Sequence, residues 1–157
     1  MLPTDKIRGY LKAAAKSIGM SFYYGREADD FLRKLESTVD LEDDGHFLLS
    51  DTTDPITHDA EGWETIPCKA VLQRQTARTA ELNDADVEAT SGTDSISRLD
   101  HRTDMYNAWI DIIAYIETNY TDAAIQSEWD YRFFSFGDNV TEGIQVDFNM
   151  YVNAYDC

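Results

Sequence analysis

Near the end of the chain Ile144, Val146, Phe148, Met150 and Val152 alternate without a break against Gln145, Asp147, Asn149, Tyr151 and Asn153. Successive side chains of a strand point to opposite faces, so this period of two dictates a strand with one buried and one wet face. Just before it, Trp129–Phe136 is an aromatic strand, and Gly137-Asp138-Asn139 through Thr141-Glu142-Gly143 carries turn chemistry. Burying the five apolar residues contributes roughly 1.5–3 kcal/mol each as an upper bound. The pair is therefore expected to anchor a sheet, and the rest of the chain must supply its cover.

That cover is sought in the helical patterns. Thr4 or Asp5 is placed to cap a first helix ending near Ile18, with Gly19 as its stop, Ile7, Tyr10, Leu11, Ala14 and Ile18 on one face and the lysines turned away. Met20–Tyr24 then reads as a short strand and Arg26–Ser37 as a second helix. Thr38–Gly45 is an acidic turn, His46–Ser50 a brief strand and Asp51–Glu64 a loop. Thr65–Gln75 is a longer strand in which Pro67 suits an entry or an edge. Residues 76–94 read as a loop, and from about Ser95 to Asn119 the pattern is helical: Ile96, Leu99, Tyr106, Trp109, Ile113 and Ile116 form a stripe widened by Met105, Ile110 and Ile112. Strand pairs separated by helices predict a single α+β domain over 1–157, a mostly antiparallel sheet with helices packed on it.

Charge narrows the partners. The net charge is −17; residues 1–34 hold seven basic residues and four acids, so the remainder carries −20. Such a body repels phosphate backbones, which argues against ordinary nucleic-acid binding. No apolar run is long enough to span a membrane, and the amino terminus has no apolar signal core. Cys68 and Cys157 read as free thiols in a reducing compartment, a single disulfide remaining open.

Chemistry-bearing patterns are sparse. Asp40, Glu42, Asp44 and Asp51, with Gly45 between, approximate a calcium loop, but Leu48 falls at a ligand position and a solvated acidic turn explains the run as well. His46, His58 and Cys68 with Asp54 or Asp59 match no zinc spacing, and His101 falls on the long helix, where solvent or a neighbouring side chain is the expected surrounding. A nucleophile elbow, a phosphate-cradling loop and a dinucleotide fingerprint are all missing, so the chain reads as non-enzymatic and without a cofactor. The aromatic strand is more informative. Trp129, Tyr131 and Phe133 share one face and Phe134 and Phe136 the other, so both faces need cover, either from this chain or from a neighbouring subunit.

The opening helix followed by SIGMSFYYGREAD, the strings GHFLLSDTTDP and IPCKAVLQRQ, the helix AWIDIIAYIETN and the close YRFFSFGDNVTEGIQVDFNMYVNAYDC resemble, in order, tail-terminator and tail-completion proteins of the head–tail neck of tailed bacteriophages. The resemblance implies a structural virion protein, assembled in the host cytoplasm and without catalytic residues. It implies a homo-oligomeric ring of about six or twelve subunits that contacts tail-tube and neck or connector proteins and lets DNA pass without binding it. Subunit contacts are then expected at Trp129, Tyr131 and Phe133 with the loop at 76–93. The alternative from the charge alone is an acidic DNA mimic that inhibits a nucleic-acid enzyme.

Overall fold

A computed structural model describes residues 2–26, 45–75, 93–136 and 141–156. Helix α1 (Pro3–Ser17) leads into strand β1 (Ser21–Tyr24); β2 (His46–Leu49), β3 (Thr57–His58) and β4 (Trp63–Gln75) follow. Helix α2 (Thr93–Asn119), β5 (Ala123–Ile125), β6 (Asp130–Phe136), β7 (Thr141–Asn153) and a 3-10 turn (Ala154–Asp156) complete the described chain. It is an α+β domain: two helices and a seven-stranded, mostly antiparallel sheet. Among the described strands, β1 and β2 pair in parallel.

The sheet is built on the long antiparallel ladder of β4 with β7, running from Trp63 opposite Asn153 to Gln75 opposite Thr141. Two short strands share each outer edge of this ladder. On β4, β2 pairs residues 70–73 and β3 pairs residues 64–65; on β7, β6 pairs residues 141–147 and β5 pairs residues 150–152. Pro67 therefore sits inside a central strand rather than at its entry or at the sheet's edge. It is accommodated because it falls between the reaches of β2 and β3, where no described strand asks for its missing N–H. The stretch expected as loop, 51–64, contains β3 and the start of β4. Between them Asp59 accepts hydrogen bonds from the Glu61 and Trp63 backbone N–H groups, both at 2.9 Å, and organises the turn.

The period of two at 144–152 holds. Ile144, Val146, Phe148, Met150 and Val152 are buried, and Leu72, Ala70, Cys68 and Ile66 lie opposite the first four on the same face. Helices α1 and α2 cover that face with Ile7, Leu11, Ala14 and Ala15 and with Met105, Trp109, Ile112 and Ile116. The centre of the α2 stripe is thus at spacings of four, three and four residues, and Ile110, expected within the stripe, is 39% exposed. Helix α2 begins at Thr93, slightly ahead of its expected start, and residues 76–92 lie outside the described residues, as does the expected helix after Arg26.

Two expectations for α1 are corrected. Its N-cap is Leu2 rather than Thr4 or Asp5: Pro3, with its preset φ and missing N–H, suits the first helical position, and the Asp5 carboxylate accepts from the Leu2 N–H at 3.3 Å. Nor do all its lysines face solvent. Lys6 is buried, its ammonium 2.5 Å from Asp122 and 3.3 Å from the Asn153 carbonyl. The C-terminus follows expectation: Gly19, at φ 79°, lets its own N–H and that of Met20 bond back to Lys16 and Ala15.

Candidate interaction surface

The aromatic edge is assembled by strand alternation. Tyr131 and Phe133 stand opposite Val146 and Ile144, and so on the helix-covered face; Trp129 leads into them. Helix α2 supplies their inner cover. The Trp109 and Trp129 rings meet edge to face with centroids 5.8 Å apart, Tyr106 lies 5.2 Å from Tyr131, and the Arg102 guanidinium is 5.4 Å from the Phe133 centroid. The cover is partial. Tyr131 remains 45% exposed and Phe133 48%. Among the described residues β6 pairs only with β7, so this aromatic row lies on a free sheet edge.

Acidic groups crowd the same edge. Asp130 pairs directly with Asp147 across β6 and β7, and Lys69 stands opposite Asp147 on β4. A cavity of about 350 Å³ is lined by Asp54, Glu128, Asp130, Asp147, Lys69 and Trp129 among others. One Asp147 carboxylate oxygen is shut off from solvent without a hydrogen-bond partner. At the opposite edge of the sheet, a groove of about 480 Å³ runs between α1 and β1, with Asp5, Arg8, Gly9 and Lys12 from the helix, Phe22 and Tyr24 from the strand, and Arg26, three cations against one acid.

Of the other sequence candidates, Asp54 and Cys68 line that same cavity of about 350 Å³, and the rest lie apart from them. Asp40, Glu42 and Asp44 lie outside the described residues; burial, and next the hydrogen bond that the Tyr24 hydroxyl donates to Asp51, push that phenol's pKa up. His46 is buried beside Tyr23 on the face away from α1 and α2, Cys68 is buried on the face toward them, and His58 is exposed on β3. No group of three or more His, Cys, Asp or Glu among the described residues is arranged to hold a metal ion. For His101 only its place on α2 is described. Among the described residues no helix is long and apolar enough to cross a membrane.

No protein-family model and no curated protein matches this chain.

Sequence reasoning missed the basic groove. Its signal was present in the positive balance of residues 1–34, but the groove exists only once α1 and β1 lie side by side.

Proposed function

We propose that the chain is a structural virion protein of a tailed bacteriophage, a ring-forming tail-terminator or neck component that joins the tail to the head–tail connector. The observation that carries this reading is the half-exposed aromatic row, Tyr131 and Phe133, on a sheet edge that is unpaired among the described residues. Large rings left partly wet beside a free edge are what a neighbouring subunit would cover. The resemblance of the element order to tail-terminator proteins supports the same role. A net charge of −17 suits a lumen through which DNA slides, because an acidic wall repels phosphates at short range and is screened beyond about 10 Å.

Light scattering over a range of concentrations, with negative-stain images of any large species, tests the proposal. Rings with a central opening, dispersed by joint replacement of Trp129, Tyr131 and Phe133 with serine in a chain that still folds, are the expected result. Rings that survive this replacement refute the aromatic contact. A monomer that blocks a DNA-binding enzyme in a salt-dependent manner supports the DNA-mimic reading instead, for which the exposed acids Asp51, Asp54, Glu61, Asp104, Asp111 and Glu117 speak.

A further inference from the structure

We propose that the basic groove between α1 and β1 receives the acidic β6 edge of a second copy of this chain, a head-to-tail contact that rests on the self-assembly proposed above. The first observation is the segregation of charge. Residues 2–26 carry Lys6, Arg8, Lys12, Lys16 and Arg26 against the single acid Asp5, within a chain of −17. Of these cations Lys6 is engaged by Asp122, and Arg8 lies 3.5 Å from Asp5 and 4.9 Å from the Tyr24 ring centroid. Lys12 and Arg26 are exposed and have no ion-pair partner among the described residues. The groove therefore offers two cations, unpaired among the described residues, above an aromatic floor.

Gly9 is the second observation. It stands in the interior of α1 and lines the groove, and a Cβ there would meet nothing within 4 Å. A helix-interior glycine costs about 1 kcal/mol relative to alanine. Packing among the described residues does not require that sacrifice, whereas a surface approaching closely from outside would.

The third observation is the complement at the far edge. Glu128 and Asp130 are exposed beside Trp129, and Asp147 has an oxygen without a hydrogen bond. Each surface joins aromatic rings to a net charge. The groove sets the cations Arg8, Lys12 and Arg26 against Asp5, and the edge sets the acids Asp54, Glu128, Asp130 and Asp147 against Lys69 and the adjoining Arg132, so the two net signs are opposite. Complementary potentials of this kind set partner choice and register. Because the groove and the edge are different surfaces at opposite edges of the sheet, pairing two copies leaves one of each free. Such a heterologous contact closes into a ring or extends into a filament.

The test uses two double variants of the full chain, Lys12→Glu/Arg26→Glu and Glu128→Lys/Asp130→Lys, all at exposed positions. Unchanged circular dichroism and a cooperative urea transition with a midpoint no lower than that of the wild type establish that each folds. In light scattering each variant alone is expected to fall to the mass of one chain, 17.9 kDa, under conditions where the wild type assembles. Mixed in equal amounts they should assemble again, since the acidic groove of one then meets the basic edge of the other. Variants that keep the wild-type mass alone, or that stay dispersed when mixed, overturn this contact, while wild-type rings in the same experiment leave the ring reading standing. A wild type that is monomeric at every concentration removes both. A short DNA duplex bound by the wild type without self-assembly, and lost in the Lys12→Glu/Arg26→Glu variant, assigns the groove to phosphate instead and overturns the proposal.

Discussion

Asp130 and Asp147 stand directly opposite each other on β6 and β7, with Lys69 flanking Asp147 from β4. Like charges facing across a ladder are destabilising. The Asp130→Asn variant should therefore be more stable by about 0.2–1 kcal/mol, read as a higher urea midpoint. The gain should shrink in high salt, because exposed charges are screened. If the β6 edge docks on the groove, the same variant also assembles less well.

The Lys6–Asp122 pair, joined by the Tyr10 hydroxyl at 2.8 Å, ties α1 to the segment before β5. Burial favours the neutral acid, but the hydrogen bonds from Lys6 and Tyr10 outweigh it and hold the Asp122 carboxyl below its ordinary range. A lowered pKa in the folded state contributes stability above the ordinary carboxyl pKa, and that contribution is lost as pH falls through the folded value. Asp122→Ala should cost about 2–3 kcal/mol near neutral pH, since it strands a buried ammonium. It should also flatten the acid limb of a stability-against-pH profile below about pH 4.

Two glycine substitutions should act in opposite directions. A Cβ at Gly143 would run into the Leu72 carbonyl oxygen and lie 2.8 Å from Gln73 Cα, so Gly143→Ala must push β4 and β7 apart. A loss of about 1–3 kcal/mol is expected from such overpacking. Gly9→Ala meets nothing and should gain up to about 1 kcal/mol. Thermal or urea unfolding of both variants checks the signs, and weaker assembly of a more stable Gly9→Ala chain would mark the groove as a contact.

Cys68 reports on the closure of the core. Burial pushes its thiol up to about 12, against a smaller opposing effect of a backbone hydrogen bond from Met150. In a Cys157→Ser background, a disulfide reagent at pH 8 should label the native protein only through opening, and quickly once urea unfolds it. The raised pKa also means that stability is intact below the ordinary thiol range and falls as pH rises from there toward 12. Cys68→Ala should remove that part of the alkaline slope.

What the sequence displayed, and what it concealed, follows from range. The alternation at 144–152 and the apolar residues of α2 report local geometry, and Val146, Met150, Trp109 and Ile116 are buried as their spacing demanded. Lys6 is concealed because its partner Asp122 lies far along the chain and nothing local marks a buried lysine. β3 and β5 are too short for any period to show, and Pro67 is tolerated only through the reach of two other strands. On the candidate surface, the shared face of Trp129, Tyr131 and Phe133 was legible from spacing of two. Their half-exposure, the facing acids and the basic groove depend on tertiary neighbours.

The β4–β7 ladder joins segments separated by the whole of α2, β5 and β6; Gln75 and Thr141, its nearest partners in sequence, already enclose them all. On a ribosome the flank of β4 that β7 will occupy must wait until Thr141–Asn153 has been made. Folding dominated by so distant a pairing is slow, on the order of milliseconds to seconds for sheets of high contact order. During that interval Ile66, Cys68, Ala70 and Leu72 lack their main partners, so synthesis itself exposes a sticky ribbon, and yield in the cell should respond to chaperone supply before it responds to the stability of the finished domain.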